Sequence, residues 1–116
     1  MAGSSSTSGH RIPDYADRVL TAVERIPPGR VLTYGGVARL IGEGGPRQVG
    51  RVMAQYGGAV PWWRVVRADG RPLPGHEDRA LANYRAEGTP LRTGTSPGAT
   101  PRIDMRRAVW DESGPR

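Results

Sequence analysis

There is no cysteine among the 116 residues, and no lysine. Without a thiol, disulfides, thiolate metal sites and every thiol-based catalytic mechanism are excluded. Histidine is nearly as scarce, with His10 and His76 as the only two, and His10 lies in a run of small residues. That is poor material for a zinc site or a histidine-based catalytic centre, so no metal, cofactor or catalytic residue is expected. No stretch approaches the roughly 20 apolar residues that span a bilayer, and the first ten residues lack the apolar run of a signal peptide. The expectation is a soluble, cytoplasmic protein with no membrane partner.

What the chain does have is positive charge of one kind. The formal net charge is +6, from 17 basic and 11 acidic residues, and every basic residue is arginine. Arginine binds phosphate bidentately and stacks on bases, which suits a polyanionic partner. A GC-rich coding bias gives the same richness in Arg, Ala, Gly and Pro, and charge alone does not separate the two readings. The length fits one small domain with a modest core. Residues 1–12 read as a disordered tail, because Gly, Ser, Thr and Ala bury too little to offset the entropy of ordering. Residues 13–92 read as the domain, and 93–116 as a partly docked C-terminal extension.

Apolar periodicity predicts a helix over 14–26, with Tyr15, Val19, Ala22, Val23 and Ile26 on one face and Pro27-Pro28-Gly29 as its stop. Val31 and Leu32 form a short extended piece, and Thr33 caps a second helix whose Val37, Leu40 and Ile41 point inward. A Gly-rich turn at 42–45 leads to Pro46, suited to the first position of a third helix that runs to about Gln55. Val49, Val52, Met53 and Tyr56 form its core stripe, and Arg47, Arg51 and Ala54 its opposite face. Two short helices joined in this way match a helix-turn-helix, although any small helical domain can produce the pattern. The apolar segment 60–66 is interrupted by Pro61 and Arg64, and the turn signal at 67–71 predicts that it folds back as a hairpin or wing. Residues 77–87 read as a helix with Ala80, Leu81 and Tyr84 inward and Gly88 as its stop. After a loop at 93–101, Ile103, Met105, Val109 and Trp110 are enough to dock a terminal element. The fold class is therefore mainly α, a winged helix-turn-helix with a short β wing.

Three motifs in order give this pattern a family. Ile26-Pro27-Pro28-Gly29-Arg30-Val31-Leu32-Thr33-Tyr34-Gly35-Gly36-Val37-Ala38 comes first, followed by Pro46-Arg47-Gln48-Val49-Gly50 and Val60-Pro61-Trp62-Trp63-Arg64-Val65-Val66. Across about residues 14–91 the chain resembles the DNA-binding domain of the alkylguanine-DNA alkyltransferases. In that family the third motif is Pro-Cys-His-Arg-Val, and its cysteine accepts the alkyl group from guanine O6. Trp62 stands at the cysteine position here. That substitution resembles the alkyltransferase-like proteins, which bind alkylated guanine without repairing it and hand the site to nucleotide excision repair. Ile103-Asp104 and Trp110 echo their C-terminal pattern.

The resemblance implies a partner, double-stranded DNA containing O6-alkylguanine, with nucleotide excision repair proteins downstream and the chain acting as a nucleoid-associated monomer. A base modified at O6 is reached only by flipping its nucleotide out of the stack. By resemblance Tyr34, beside the cap Thr33 at a helix start that favours phosphate, helps rotate the target. Arg47 is the finger that replaces the extruded base, Gly50 lets the helix lie close to DNA, and Arg51 contacts phosphate. Trp62 offers an apolar face for the flipped base. Its neighbour Trp63 would point the opposite way in an extended segment, so one of the two faces a pocket. Arg64 orders the loop through backbone carbonyls, and Val65 and Val66 supply pocket wall. The alternatives are that Tyr34 packs under its helix, that Arg47 is a solvated surface charge and that Trp62 is a core tryptophan.

Three departures bear on selectivity. Trp63 stands where the family has histidine, the link 54–59 lacks the asparagine of the active enzymes, and 73–77 lacks an arginine found near the pocket rim in some relatives, with His76 as the available substitute. Rival readings are an active alkyltransferase, which the missing thiol opposes, a winged-helix transcription regulator reading DNA by sequence, and a protein-interaction module that kept only the fold.

Overall fold

Helix α1 (Asp14–Arg25) buries Ala16, Val19, Ala22 and Val23 and carries Asp14 and Asp17 in its first turn, where the helix dipole favours negative charge. It is the first element of a computed structural model that describes residues 13–93 and 98–111. The expected N-terminal tail lies outside the described residues, as does the end of the C-terminal extension. A salt bridge joins Arg18 of α1 to Glu43, but both side chains are about half exposed and such a pair contributes roughly 0–1 kcal/mol. Each fully buried Val or Ile contributes roughly 1.5–3 kcal/mol, so the apolar stripe is what attaches this helix.

Strand β1 (Leu32–Thr33) runs directly into helix α2 (Tyr34–Ile41). The Thr33 hydroxyl accepts a hydrogen bond from Gly36 N–H at 2.9 Å, which makes it the N-cap. Gly42 closes α2 at φ 75°, a left-handed conformation that costs a residue with a Cβ more than it costs glycine. Helix α3 (Pro46–Tyr56) begins on Pro46, and Gln48 Oε1 accepts the Gly45 N–H at 3.1 Å. Val49 and Val52 are buried while Arg47, Arg51 and Ala54 are exposed, the two stripes expected for this helix. Helices α1, α2 and α3 enclose the first core cluster.

The segment expected to form a hairpin does something else. Short 3-10 turns at Gly57–Ala59 and Trp62–Arg64 lead into strand β2 (Val65–Val66), which pairs in parallel with β1 in the register Leu32 with Val65 and Thr33 with Val66. Both valines are buried, so the strand needs cover on both faces, and an exposed wing would leave one face bare. Successive strand residues point to opposite faces. Leu32 and Val65 accordingly join the helical cluster, whereas Val31 and Val66 join a second cluster with Ala80, Leu81, Tyr84, Ile103 and Ala108.

Helix α4 (Glu77–Glu87) supplies that second cluster and ends on Gly88. The antiparallel ribbon comes later in the chain than expected, from β3 (Leu91–Arg92) and β4 (Arg102–Ile103). A short helix α5 (Met105–Ala108) follows. Val31 N–H donates to Ala108 O at 3.0 Å and Trp110 N–H to Val31 O at 2.8 Å, so the chain after α5 lies beside β1. Val109, expected to pack inward, is 44% exposed, and its backbone makes the bridge to Val31.

Gly70 ties the ribbon to the turn after β2. Its carbonyl accepts Ile103 N–H at 2.8 Å, its φ is 77°, and a Cβ there would meet Ile103 O at 2.7 Å. Gly70→Ala combines left-handed strain with a backbone clash and is expected to cost about 2–4 kcal/mol, measured by urea denaturation. An unchanged midpoint would show that the ribbon does not depend on this approach.

Candidate nucleic-acid interface

The second helix of the helix-turn-helix presents Arg47 and Arg51 to solvent. Beside it lies a cavity of about 460 Å³, large enough for a nucleobase. One wall comes from α2 and α3, through Tyr34, Gly50, Met53 and Ala54, with Gly57 and Gly58 just beyond. The facing wall comes from Trp62 and Val65, and the rim from Leu73, Pro74, His76 and Arg79. A Cβ on Gly50 would meet nothing within 4 Å, so this position is open for a close approach to the helix. Burial raises the Tyr34 phenol pKa above its ordinary value, and the positive charge of Arg67 opposes that rise. Tyr34 is thus a neutral hydroxyl at the start of α2, able to donate or accept a hydrogen bond.

Trp62 and Trp63 part company here. Trp62 lines the cavity, with the Arg79 guanidinium 5.6 Å from its ring centroid and the His76 ring at 5.8 Å. Trp63 packs against it edge-on, 5.6 Å between centroids at 87°, and is not among the residues of the cavity wall. Its indole N–H donates to Glu87 Oε2 at 2.9 Å, and Tyr84 Oη–H donates to Trp63 O at 2.6 Å. Burial raises the Tyr84 pKa far above the ordinary phenol range, so this donor stays protonated.

Glu87 is the hub behind this wall. Its carboxylate accepts Gly29 N–H at 3.1 Å, Trp63 Nε1–H at 2.9 Å, and both Arg64 Nε–H at 3.1 Å and Arg64 Nη2–H at 2.6 Å. Burial pushes the carboxyl pKa up, but the hydrogen bonds from Arg64, Gly29 and Trp63 and the charge of Arg64 outweigh it and hold the group below the ordinary carboxylate range. Arg64 also donates to Ile26 O at 2.9 Å, which is the backbone-carbonyl contact expected of it. Its main partner is Glu87, and the two side chains are only 13% and 12% exposed.

Of the residues singled out in the sequence, Tyr34, Gly50, Trp62 and Val65 line one cavity. Arg47 and Arg51 lie exposed on α3, and Thr33 is engaged as a cap. Trp63 and Arg64 form the layer that holds Trp62 from behind. Sequence reasoning missed Arg79, having sought an arginine only over 73–77. His76 is the N-cap of α4 and Arg79 the third residue of that helix, and both reach the Trp62 ring. It also missed Glu87, although Ala80, Tyr84 and Glu87 share a helical stripe whose other members are buried. Among the described residues, no group of three or more His, Asp or Glu side chains could hold a metal ion, and no helix is long and apolar enough to cross a membrane.

A helix-turn-helix with an exposed arginine face and a base-sized cavity beside its second helix defines a DNA-binding domain of the winged-helix kind. The chain belongs to the family described as the DNA binding domain of 6-O-methylguanine DNA methyltransferase, whose model matches residues 14–89. It is 35% identical over 102 residues to the DNA base-flipping protein of Escherichia coli K12, covering 84% of this chain and 74% of that one. It is 34% identical over 88 residues to Alkyltransferase-like protein 1 of Schizosaccharomyces pombe, covering 70% and 82%. The crystal structure of S. pombe Atl1 in complex with damaged DNA containing O6-carboxymethylguanine superposes with a TM-score of 0.71 at 28% identity, over 87% of this chain and 98% of that one. The O6-methylguanine methyltransferase of Mycobacterium tuberculosis superposes at 0.58 and 30% identity, with 74% of this chain but only 52% of that one covered.

Replacing Glu87 by Gln leaves the half-buried Arg64 charge without its counter-ion and is expected to cost about 2–4 kcal/mol at neutral pH. Because the folded-state pKa is depressed, the wild-type contribution is fully present above the ordinary carboxyl value of 4.5 and is lost as pH falls below it. Urea midpoints of wild type and Glu87→Gln should therefore lie far apart at pH 7 and converge toward pH 3. A pH-independent gap would show that the carboxylate charge is not what holds this layer.

Proposed function

We propose that the protein binds duplex DNA containing O6-alkylguanine, draws the flipped nucleotide into the cavity against Trp62, and leaves it chemically unchanged. The observation that carries this reading is Trp62 itself. An indole lines the cavity, the family resemblance puts it at the position of the acceptor cysteine, and no cysteine occurs in these 116 residues. An indole accepts no alkyl group, but its face packs on a flipped base, and contacts of this kind contribute roughly 1–3 kcal/mol per base. The names of the relatives, a base-flipping protein and an alkyltransferase-like protein bound to damaged DNA, support the same reading.

In this reading Thr33 fixes the start of α2 and Tyr34 turns the target phosphate and base from there. Arg47 enters the duplex and stacks in the gap, while Gly50 admits the backbone and Arg51 holds a phosphate. Trp62 and Val65 line the pocket, and Trp63 and Arg64 keep Trp62 in place through Glu87. Arg79, already over the Trp62 ring, sets positive charge beside the guest base. The chain acts as a nucleoid-associated cytoplasmic monomer, and the bound lesion is passed to nucleotide excision repair, a step that rests on the family resemblance.

Fluorescence anisotropy on two duplexes identical except for O6-methylguanine or guanine tests this directly. The expected outcome is tight binding of the lesion duplex and weaker, salt-sensitive binding of the other. Trp62→Ala should reduce lesion affinity by about 1–3 kcal/mol with little change for undamaged DNA. Equal affinities for both duplexes would instead favour a sequence-reading regulator, and transfer of label from methylated DNA to the protein would overturn the non-enzymatic reading.

A further inference from the structure

A second cavity, of about 590 Å³, lies next to the first and shares Pro74 with it. Arg67 and Arg71 line it from the turn after β2, and Arg92 and Arg102 from the ribbon, with Glu77 as the single carboxylate. Arg92 and Arg102 are direct register partners across β3 and β4. Directly opposed side chains leave a ribbon on the same face, so two like charges meet there at a cost to the free protein. Neither has a carboxylate partner among the described residues, and Arg71 has only an exposed, 3.4 Å contact with Asp69. Glu77 is already engaged, accepting Gly75 N–H at 3.0 Å. Among the described residues the fold thus sets four arginines against the Glu77 carboxylate and the exposed Asp69 contact, and the cleft keeps an excess of positive charge.

We propose that this cleft is a phosphodiester-binding site that grips the DNA backbone next to the nucleotide drawn into the Trp62 cavity, making the C-terminal ribbon part of the DNA footprint. The inference rests on the lesion-binding reading for its orientation. Several planar guanidinium groups converging on one cleft suit the oxygens of a backbone phosphate, which each can take bidentately. Continuity with the first cavity favours DNA over other polyanions. Pro74 belongs to both walls, and the Arg67 charge is felt by the Tyr34 hydroxyl at the start of α2. A strand whose nucleotide enters one cavity therefore passes the other.

The test is the salt dependence of binding to the undamaged duplex, compared between wild type and Arg92→Gln/Arg102→Gln. Removing two opposed like charges relieves the ribbon, so this variant keeps its fold, and Arg71→Gln samples the opposite wall independently. The slope of log affinity against log salt should shrink by about one to two for the double variant, since each phosphate contact contributes roughly 0.9. The preference for O6-methylguanine over guanine should persist. A control that removes equal charge outside the cleft, Arg85→Gln/Arg106→Gln, should keep the wild-type slope. An unchanged slope in both cleft variants, or an equal loss in the control, overturns the proposal. So does an unchanged slope accompanied by lost binding of an oligoglutamate peptide, which would make the cleft a protein-docking site. Because the slope is read on undamaged DNA, this inference can fail while lesion preference stands, and lesion preference can fail while the cleft still takes phosphate.

Discussion

The Glu87 carboxylate is half-buried and accepts four N–H donors from two other segments of the chain: Gly29 before β1, and Trp63 and Arg64 before β2. A buried charge with an unmet hydrogen bond would be expensive, and here each carboxylate oxygen has two donors. Satisfying it requires the turn ahead of β1, the Trp62–Arg64 turn and the end of α4 to come together at once. The bidentate Arg64, which also reaches Ile26 O, extends the same knot to the end of α1. The site wall inherits its geometry from this point, because Trp62 leans on Trp63 and Trp63 hangs from Glu87.

Around that knot the core divides in two. The parallel pair of β1 and β2 is only two residues long on each side, yet its alternation sends Leu32 and Val65 toward the three N-terminal helices and Val31 and Val66 toward α4 and the ribbon. The cavity opens where the two halves meet, with α2 and α3 contributing one wall and the Trp62 loop and the start of α4 the rest. Its chemistry is aromatic and cationic, with indole, imidazole and guanidinium in contact. Such a lining suits the face of a planar base and offers no nucleophile of the thiol kind. Glu87 and Trp63 consequently do positional work, fixing where the Trp62 ring stands.

Much of this was legible in the residues. The amphipathic periods marked α1, α3 and α4, Thr33 and Gly42 marked the ends of α2, and Pro46 marked the start of α3, because stripes, caps and breakers are local signals. The hairpin expected from the turn at 67–71 was the main error. Val65 and Val66 alternate to two different cores, and no local pattern reveals that a two-residue strand has a parallel partner some thirty positions earlier. Arg79 and Glu87 escaped notice for a related reason: each sits on an unremarkable helix and gains its meaning from a partner on another element.

By itself the sequence determined the family, the helix-turn-helix with its arginine stripe, and the absence of any thiol, since these depend on residue identity and spacing along one chain. Only the tertiary structure decided which tryptophan faces the cavity, that Arg64 is half-buried in an ion pair while Arg47 and Arg51 stay exposed, and where the ribbon lies. Those outcomes depend on long-range contacts. Trp62 packs edge-on against Trp63, whose indole N–H is held by Glu87 twenty-four residues along the chain, and no period or propensity encodes such a pairing.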